Sequence, residues 1–307
     1  MKETAFIFPG QGSQSIGMGK EFFENFKVAR EIFEEADDAL HFSISTLCFQ
    51  GPEEALKLTE NTQPAILTTS VAALKVLQAE KGLRPSLVAG HSLGEYSALV
   101  LSEAIRFTDA VQMVRLRGRF MQEAVPAGEG AMAAILGMER EQVERLCQEE
   151  ESGEVVSPAN FNCPGQIVIS GHTKAVERAI ERVKREGKKA LLLPVSAPFH
   201  SPLMEPAGVR LEKELEKIPI QELKTPVVTN VEAEVNTSKD RVAGLLVAQV
   251  SSPVRWEESM RKMLEKGMER FLEIGPGKVL TGLMKRIEPG IETFNIEDVK
   301  GLKKIPG

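Results

Sequence analysis

The chain is short of the residues that mark several function classes. Its 307 residues include only three cysteines, Cys48, Cys147 and Cys163. They are odd in number and far apart, with no C-x-x-C pair, which excludes a disulfide framework and a cysteine zinc site. Free thiols in a reducing compartment are the expectation. Basic charge is in deficit as well: 38 Lys and Arg against 44 Asp and Glu leave a net charge of −6. A nucleic-acid binder would carry the opposite balance, with a basic stripe and a high pI. No apolar run approaches the roughly 18 residues of a membrane span. The apolar stretch Ala5 to Phe8 is too short for a signal peptide. A cytoplasmic protein is therefore expected, and a monomer, since nothing in the sequence suggests an oligomer interface.

What remains is an ordinary globular mixture, 42% hydrophobic and 27% charged. A chain of this size can bury a large core without cross-links. Ala5–Phe8 ends at Pro9-Gly10 and reads as a buried strand entering a loop. That loop, Gly10-Gln11-Gly12-Ser13-Gln14-Ser15, has serine where a dinucleotide fingerprint needs its third glycine. Apolar spacing predicts a helix over 65–81 stopped by Gly82, then a strand over 86–89. Two more helices follow, one from Glu95 to about Ile105 and one after an N-cap at Thr108 to about Glu123.

From Pro126 the texture changes. Strand patterns at 131–136, 155–156, 166–170 and 190–195 alternate with helices at 139–150 and 173–186. The order β-α-β-β-α-β is that of a ferredoxin-like unit. It predicts a subdomain over 126–197 inserted into a larger α/β domain made of 1–125 and 198–307. Later strands at 226–229 and 271–274, with helices around them, imply a mostly parallel sheet whose crevice lies at the carboxyl ends of its strands. The lysine-bearing tail 300–307 reads as frayed.

The strongest chemical signal is Gly90-His91-Ser92-Leu93-Gly94. It fits G-x-S-x-G between a predicted strand and a predicted helix, the context a nucleophile elbow requires. Small residues relieve the crowding of a strand that turns sharply into a helix, and the helix N-terminus favours developing negative charge. A serine needs a base, and the histidines are His41, His91, His172 and His200. His91 adjoins Ser92, so its ring should point away. His41 and His172 sit beside charged helices, whereas His200 lies in a proline-stiffened loop, Ala197-Pro198-Phe199-His200-Ser201-Pro202. His200 is the favoured base.

Arg117 falls among Met113, Val114, Phe120 and Met121 on one helix face, while Gln112, Arg115, Arg119 and Gln122 share the other. An arginine on an apolar stripe is costly unless an anion meets it. Three readings stay open: an internal ion pair, a guanidinium that snorkels outward, or a planar fork for a substrate carboxylate. Asn160 and Asn162 read as turn residues, Gln249 carries no signal of its own, and Trp256 reads as packing.

Taken together, these residues resemble the malonyl-CoA:acyl carrier protein transacylases of fatty-acid synthesis. The match runs through Phe8-Pro9-Gly10-Gln11-Gly12, Gly90 to Ala98, Arg117, Gly130-Ala131-Met132 and Asn160-Phe161-Asn162. It continues through Pro164-Gly165-Gln166, Phe199-His200, Gln249 and Glu273-Ile274-Gly275-Pro276-Gly277. The resemblance implies an α/β-hydrolase-like core with the inserted subdomain, and an active site between them. It implies Ser92 as nucleophile, His200 as general base and acid, and the amides of Gln11 and Leu93 as oxyanion hole. Arg117 would hold the malonyl carboxylate and the Gln249 main-chain carbonyl would orient His200, with Asn160, Asn162 and His91 in support. The substrates would be malonyl-CoA and phosphopantetheinylated acyl carrier protein, with no metal or other cofactor. Carrier proteins of this kind are acidic, so Lys184, Arg185, Lys188 and Lys189 are either a docking patch or a solvated helix end. Rival expectations are a trans-acting polyketide acyltransferase and a serine hydrolase or thioesterase.

Overall fold

The computed structural model describes residues 2–150, 153–195 and 197–306. Its larger sheet has the order β10-β9-β1-β2-β7-β8. These strands are β1 (Thr4–Phe8), β2 (Leu87–Gly90), β7 (Val227–Val228), β8 (Val235–Asn236), β9 (Arg270–Ile274) and β10 (Glu292–Ile296). All neighbours run parallel except β7 and β8. β1 is buried along its whole length, as a strand covered on both faces must be. Phe8 pairs with Gly90 at the carboxyl edge, so the loops after β1 and β2 emerge side by side.

The helix Thr59–Lys81 fills the space behind that edge. It has 23 residues, most of them buried, and Gly82 ends it at φ 63°, a left-handed cap that glycine adopts without steric cost. Packed on it is the helix Phe107–Glu123. That helix starts earlier than expected: Arg106 is its cap and Thr108 lies inside the first turn. Buried Phe107 and the Arg106–Asp109 ion pair anchor this end instead of a threonine cap. The helix after Gly94 is also shorter than expected, ending at Leu101 before a turn in which Glu103 is left-handed at φ 60°.

The smaller sheet, in the order β4-β5-β3-β6, is antiparallel throughout. Its strands are β3 (Gly130–Leu136), β4 (Val156–Cys163), β5 (Gln166–His172) and β6 (Lys189–Leu192). With helices Arg140–Glu150 and Thr173–Arg185 this is the ferredoxin-like order. Alternation along β3 decides the packing. Ala131, Ala133 and Ile135 join the subdomain's own core, while Met132 and Ala134 join the core of the larger domain. One sheet face thus serves as the subdomain's floor and the other as a wall of the whole molecule.

Two expectations fail here. Asn160 and Asn162 are strand residues of β4, not turn residues. Pro158, the bulges at Pro158/Asn160 and Phe161/Cys163, and the β4 edge position disguised a strand as a loop. The tail is not frayed: Val299–Lys303 is a helix, Leu302 and Ile305 are buried, and Lys81 Nζ donates to the Ile305 carbonyl. Its apolar residues were outweighed in the sequence by its lysines; the last residue of that stretch, Gly307, lies outside the described residues.

Candidate active site

The elbow is built by excluded volume. Ser92 sits at φ 51°, an unfavourable value for a residue with a side chain. A Cβ on Gly90 would lie 1.8 Å from the Gly94 carbonyl carbon, and one on Gly94 would lie 2.2 Å from Phe8 O. Only glycine at both positions lets the strand turn this sharply against β1. Gly10 lies equally close, since its Cβ would stand 2.4 Å from His91 O. The loop after β1 is thereby pressed onto the elbow, and Gln11 and Leu93 both line the cavity above Ser92. Leu93 is also the cap of the helix Gly94–Leu101, where main-chain N–H groups are free of intrahelical partners.

Ser92 Oγ lies 2.7 Å from His200 Nε2. His200, buried and at φ 59°, is held from behind by a 2.8 Å contact of Nδ1 with the Gln249 main-chain oxygen. A carbonyl only accepts, so Nδ1 carries the proton and Nε2 offers its lone pair to the serine hydroxyl. Burial, then the nearby Arg117 charge, lowers the imidazole pKa from 6.5 to about 3. The ring is therefore neutral at neutral pH, as a base must be.

Arg117 is buried beside them. Nη1 donates to Gln63 Oε1 at 2.9 Å, while Nη2 donates to Gln249 Oε1 at 2.9 Å and Ser92 Oγ at 3.1 Å. Nε is buried without a hydrogen-bond partner among the described residues. All three acceptors are neutral oxygens. Neither the ion-pair reading nor the snorkelling one describes this geometry: the guanidinium faces the cavity of about 380 Å³ that Ser92 and His200 also line. Burial lowers its pKa, and Tyr96 and Glu95 act in the opposite direction.

Gln249 joins these parts. Its main-chain oxygen meets His200, its Oε1 meets Arg117, and its Nε2 donates to Glu95 Oε2 at 2.7 Å and Ser92 O at 3.1 Å. His91 turns away from Ser92 Oγ: its Nε2 is 2.8 Å from Asn162 Oδ1, and its ring leans on Trp256 at 5.4 Å. Asn160 lines the cavity from β4, whose main chain is tied to Val254.

Three participants escaped the sequence reading. Gln63 lies in the first turns of the helix Thr59–Lys81, which begins before the start at 65 that the apolar spacing predicts. Asn230 accepts from Ser92 N at 2.6 Å and donates to Gly90 O at 2.7 Å. Its place just beyond β7, at the carboxyl edge of the sheet, was the available signal. Glu95 lies in the first helical turn, where a carboxylate is expected on dipole grounds alone.

A strained serine against a neutral histidine, at the N-terminus of the helix Gly94–Leu101, is an arrangement suited to nucleophilic acyl transfer. The chain belongs to the acyl transferase family, whose domain model matches residues 5–300. Its relatives narrow the class to malonyl CoA-acyl carrier protein transacylases. That of Bacillus subtilis (strain 168) is 52% identical over 300 residues, covering 97% of this chain and 94% of the relative. The solved transacylase of Clostridium perfringens Atcc 13124 is 46% identical with a TM-score of 0.95, covering 98% and 95% of the two chains. A malonyl-transacylase solved with its type II PKS acyl-carrier protein is 47% identical with a TM-score of 0.96, covering 98% of each chain. No helix among the described residues is long and apolar enough to cross a membrane.

Proposed function

We propose that this chain transfers a malonyl group from malonyl-CoA to the phosphopantetheine thiol of an acyl carrier protein in fatty-acid synthesis. The observation that carries the reading is Arg117, a buried guanidinium whose hydrogen-bond partners among the described residues are all neutral, the serine of the elbow among them. A hydrolase of neutral esters has no use for such a cation; a malonyl thioester brings the carboxylate that fits it.

In the first half-reaction Ser92 Oγ attacks the thioester carbon and its proton passes to His200 Nε2. The amides of Gln11 and Leu93 stabilise the oxyanion. The C–S bond breaks, the coenzyme A thiolate takes the proton from His200, and malonyl-Ser92 remains. In the second, the carrier-protein thiol gives its proton to His200 and attacks the ester, and Ser92 recovers its hydroxyl. Arg117 holds the carboxylate in line through both steps. Protons and leaving groups balance within the cycle, which calls on no metal or cofactor. Gln249, Asn160, Asn162 and His91 support these groups. The cytoplasm, a monomer, and a division into 1–125 with 198–307 and 126–197 complete the reading.

Lys184, Arg185, Lys188 and Lys189, all exposed, are the proposed contact for an acidic carrier protein. A carrier protein of polyketide synthesis is the second reading for the acceptor, favoured by the solved complex above. Intact mass after brief incubation with malonyl-CoA tests the proposal, beside acetyl-CoA and Ser92→Ala. One malonyl adduct, absent from the variant and weak with acetyl-CoA, is expected. Rapid release of free coenzyme A without an adduct would instead make the chain a thioesterase.

A further inference from the structure

Arg117 carries its charge into a site where no described carboxylate bonds to it, yet a buried cation needs compensation. The balancing charge stands one residue away. Glu95 is only 2% exposed, and its Oε2 accepts from Gln249 Nε2 at 2.7 Å and from Asn230 N at 3.0 Å. The first of these bonds settles which way the Gln249 amide faces. With Nε2 committed to Glu95 and to Ser92 O, Oε1 is left to accept from Arg117 Nη2. The second anchors Asn230, whose side chain holds Ser92 N and Gly90 O. A single carboxylate oxygen thus supports both the carboxylate-facing arginine and the elbow.

We propose that Glu95 is a positioning residue of the transfer reaction, and the charge partner of Arg117 relayed through the Gln249 amide. The relay has a chemical purpose. A carboxylate bonded directly to Arg117 would compete with the substrate for the same N–H groups. One hydrogen bond further off, it balances the cation and aims the neutral amide while leaving the guanidinium open to an incoming malonyl group. Burial raises the Glu95 pKa to about 7 against the opposing effects of Gln249, Asn230 and Arg117. The charge that offsets Arg117 is therefore present above about pH 7, where the variants are compared; protonation removes that offset but not the hydrogen bonds, because a carboxyl oxygen still accepts.

The inference rests on the proposed malonyl transfer, and two substitutions separate its parts. Glu95→Gln keeps an oxygen for both Gln249 Nε2 and Asn230 N but removes the charge. Glu95→Ala removes both. Malonyl-CoA and acetyl-CoA are compared for kcat and KM of serine acylation, with thermal melts to establish folding. The expected result for Glu95→Ala is a fall of about tenfold or more in the malonyl-over-acetyl preference, in the range typical of lost supporting contacts. Glu95→Gln is expected to keep or raise that preference, because Arg117 is no longer offset: the KM for malonyl-CoA falls while that for acetyl-CoA stays unchanged. Full preference in Glu95→Ala, or its loss in Glu95→Gln, overturns the inference. If Glu95→Ala does not fold, Glu95→Gln decides alone: an unchanged or raised malonyl KM overturns it. Failure of wild type to form a malonyl adduct would strike the transfer reading itself and is distinguishable from all of these results.

Discussion

Replacing Arg117 with alanine probes the proposed selectivity most directly. The guanidinium makes three hydrogen bonds, to Gln63, Gln249 and Ser92. A malonyl carboxylate between its Nη atoms, taking the Nη1 hydrogen that Gln63 leaves free and the Nη2 hydrogen now given to Ser92 Oγ, would make two charge-assisted bonds, each worth about 1.5–3 kcal/mol. The site is buried, so solvent screening weakens them little. The loss on truncation is therefore about 3–6 kcal/mol for malonyl-CoA, or roughly two to four powers of ten in kcat/KM. Acetyl-CoA has no carboxylate and loses only the contact of Nη2 with Ser92 Oγ, worth about 1 kcal/mol.

The preference for malonyl over acetyl should therefore fall by about thirtyfold or more. A mixture of the two thioesters, quenched before either saturates the serine and read by intact mass, gives the ratio directly. The ratio is insensitive to how much of the variant is folded, because both substrates meet the same molecules. Arg117→Lys serves as companion: it keeps the charge but lacks the planar fork, and should recover only part of the preference. If Arg117→Ala acylates with malonyl as selectively as wild type, the carboxylate assignment is wrong, and with it the main ground for preferring a transferase to a hydrolase.

Other expectations follow from single contacts. Gly90→Ala forces a Cβ to 1.8 Å from Gly94 C and 2.3 Å from Glu95 N; acylation should be abolished, and an active variant would show that the elbow can relax. His200, whose pKa is lowered to about 3 by burial and then by Arg117, acts in its neutral form. Malonyl acylation should therefore show no acid limb centred near pH 6.5, and single-turnover rates from pH 8 to 5 would reveal one. The same shift has a linked effect on stability. The unfolded histidine takes a proton below about pH 6.5 and the folded one does not, so this contribution is full above pH 6.5 and erodes as pH falls towards 3. Leu302→Ala should cost about 2–4 kcal/mol in denaturant unfolding because Leu302 is buried in the tail helix; a change below about 0.5 kcal/mol would mean the tail is loose after all.

The sequence disclosed those parts of the fold in which local chemistry and tertiary role coincide. Gly90 and Gly94 are glycines for a steric reason that also makes the motif recognisable. Arg117 could be noticed because its neighbours at helical spacing are apolar. Residues whose role depends on distant partners left no trace. Gln249 supplies a main-chain oxygen, which every residue possesses, and its side chain matters only because Glu95 and Arg117 converge on it from other helices. Asn160 and Asn162 misled for a related reason: proline and two bulges give β4 the local chemistry of a loop, while its pairing with β5 makes it a strand. At the tail, three lysines concealed Leu302 and Ile305, whose burial needs β10 beside β9.

The inserted subdomain does more than cover the cleft. β6 pairs with β3, and the chain leaves it through Leu193, Pro194 and Val195, which line the cavity, before reaching Phe199 and His200. The strand that closes the insertion therefore hands the chain to the base. Ser92 and His200 both sit at positive φ, and strained backbone at two facing residues persists only where the surroundings over-determine it. For Ser92 those surroundings are β1, the two glycines and Asn230; for His200 they are the exit from β6 on one side and the Gln249 carbonyl on the other. Neither unit alone fixes the 2.7 Å contact between serine and histidine. A change that lets β6 slide along β3 should thus reach the chemistry by displacing His200, even though no residue of β6 touches Ser92 Oγ.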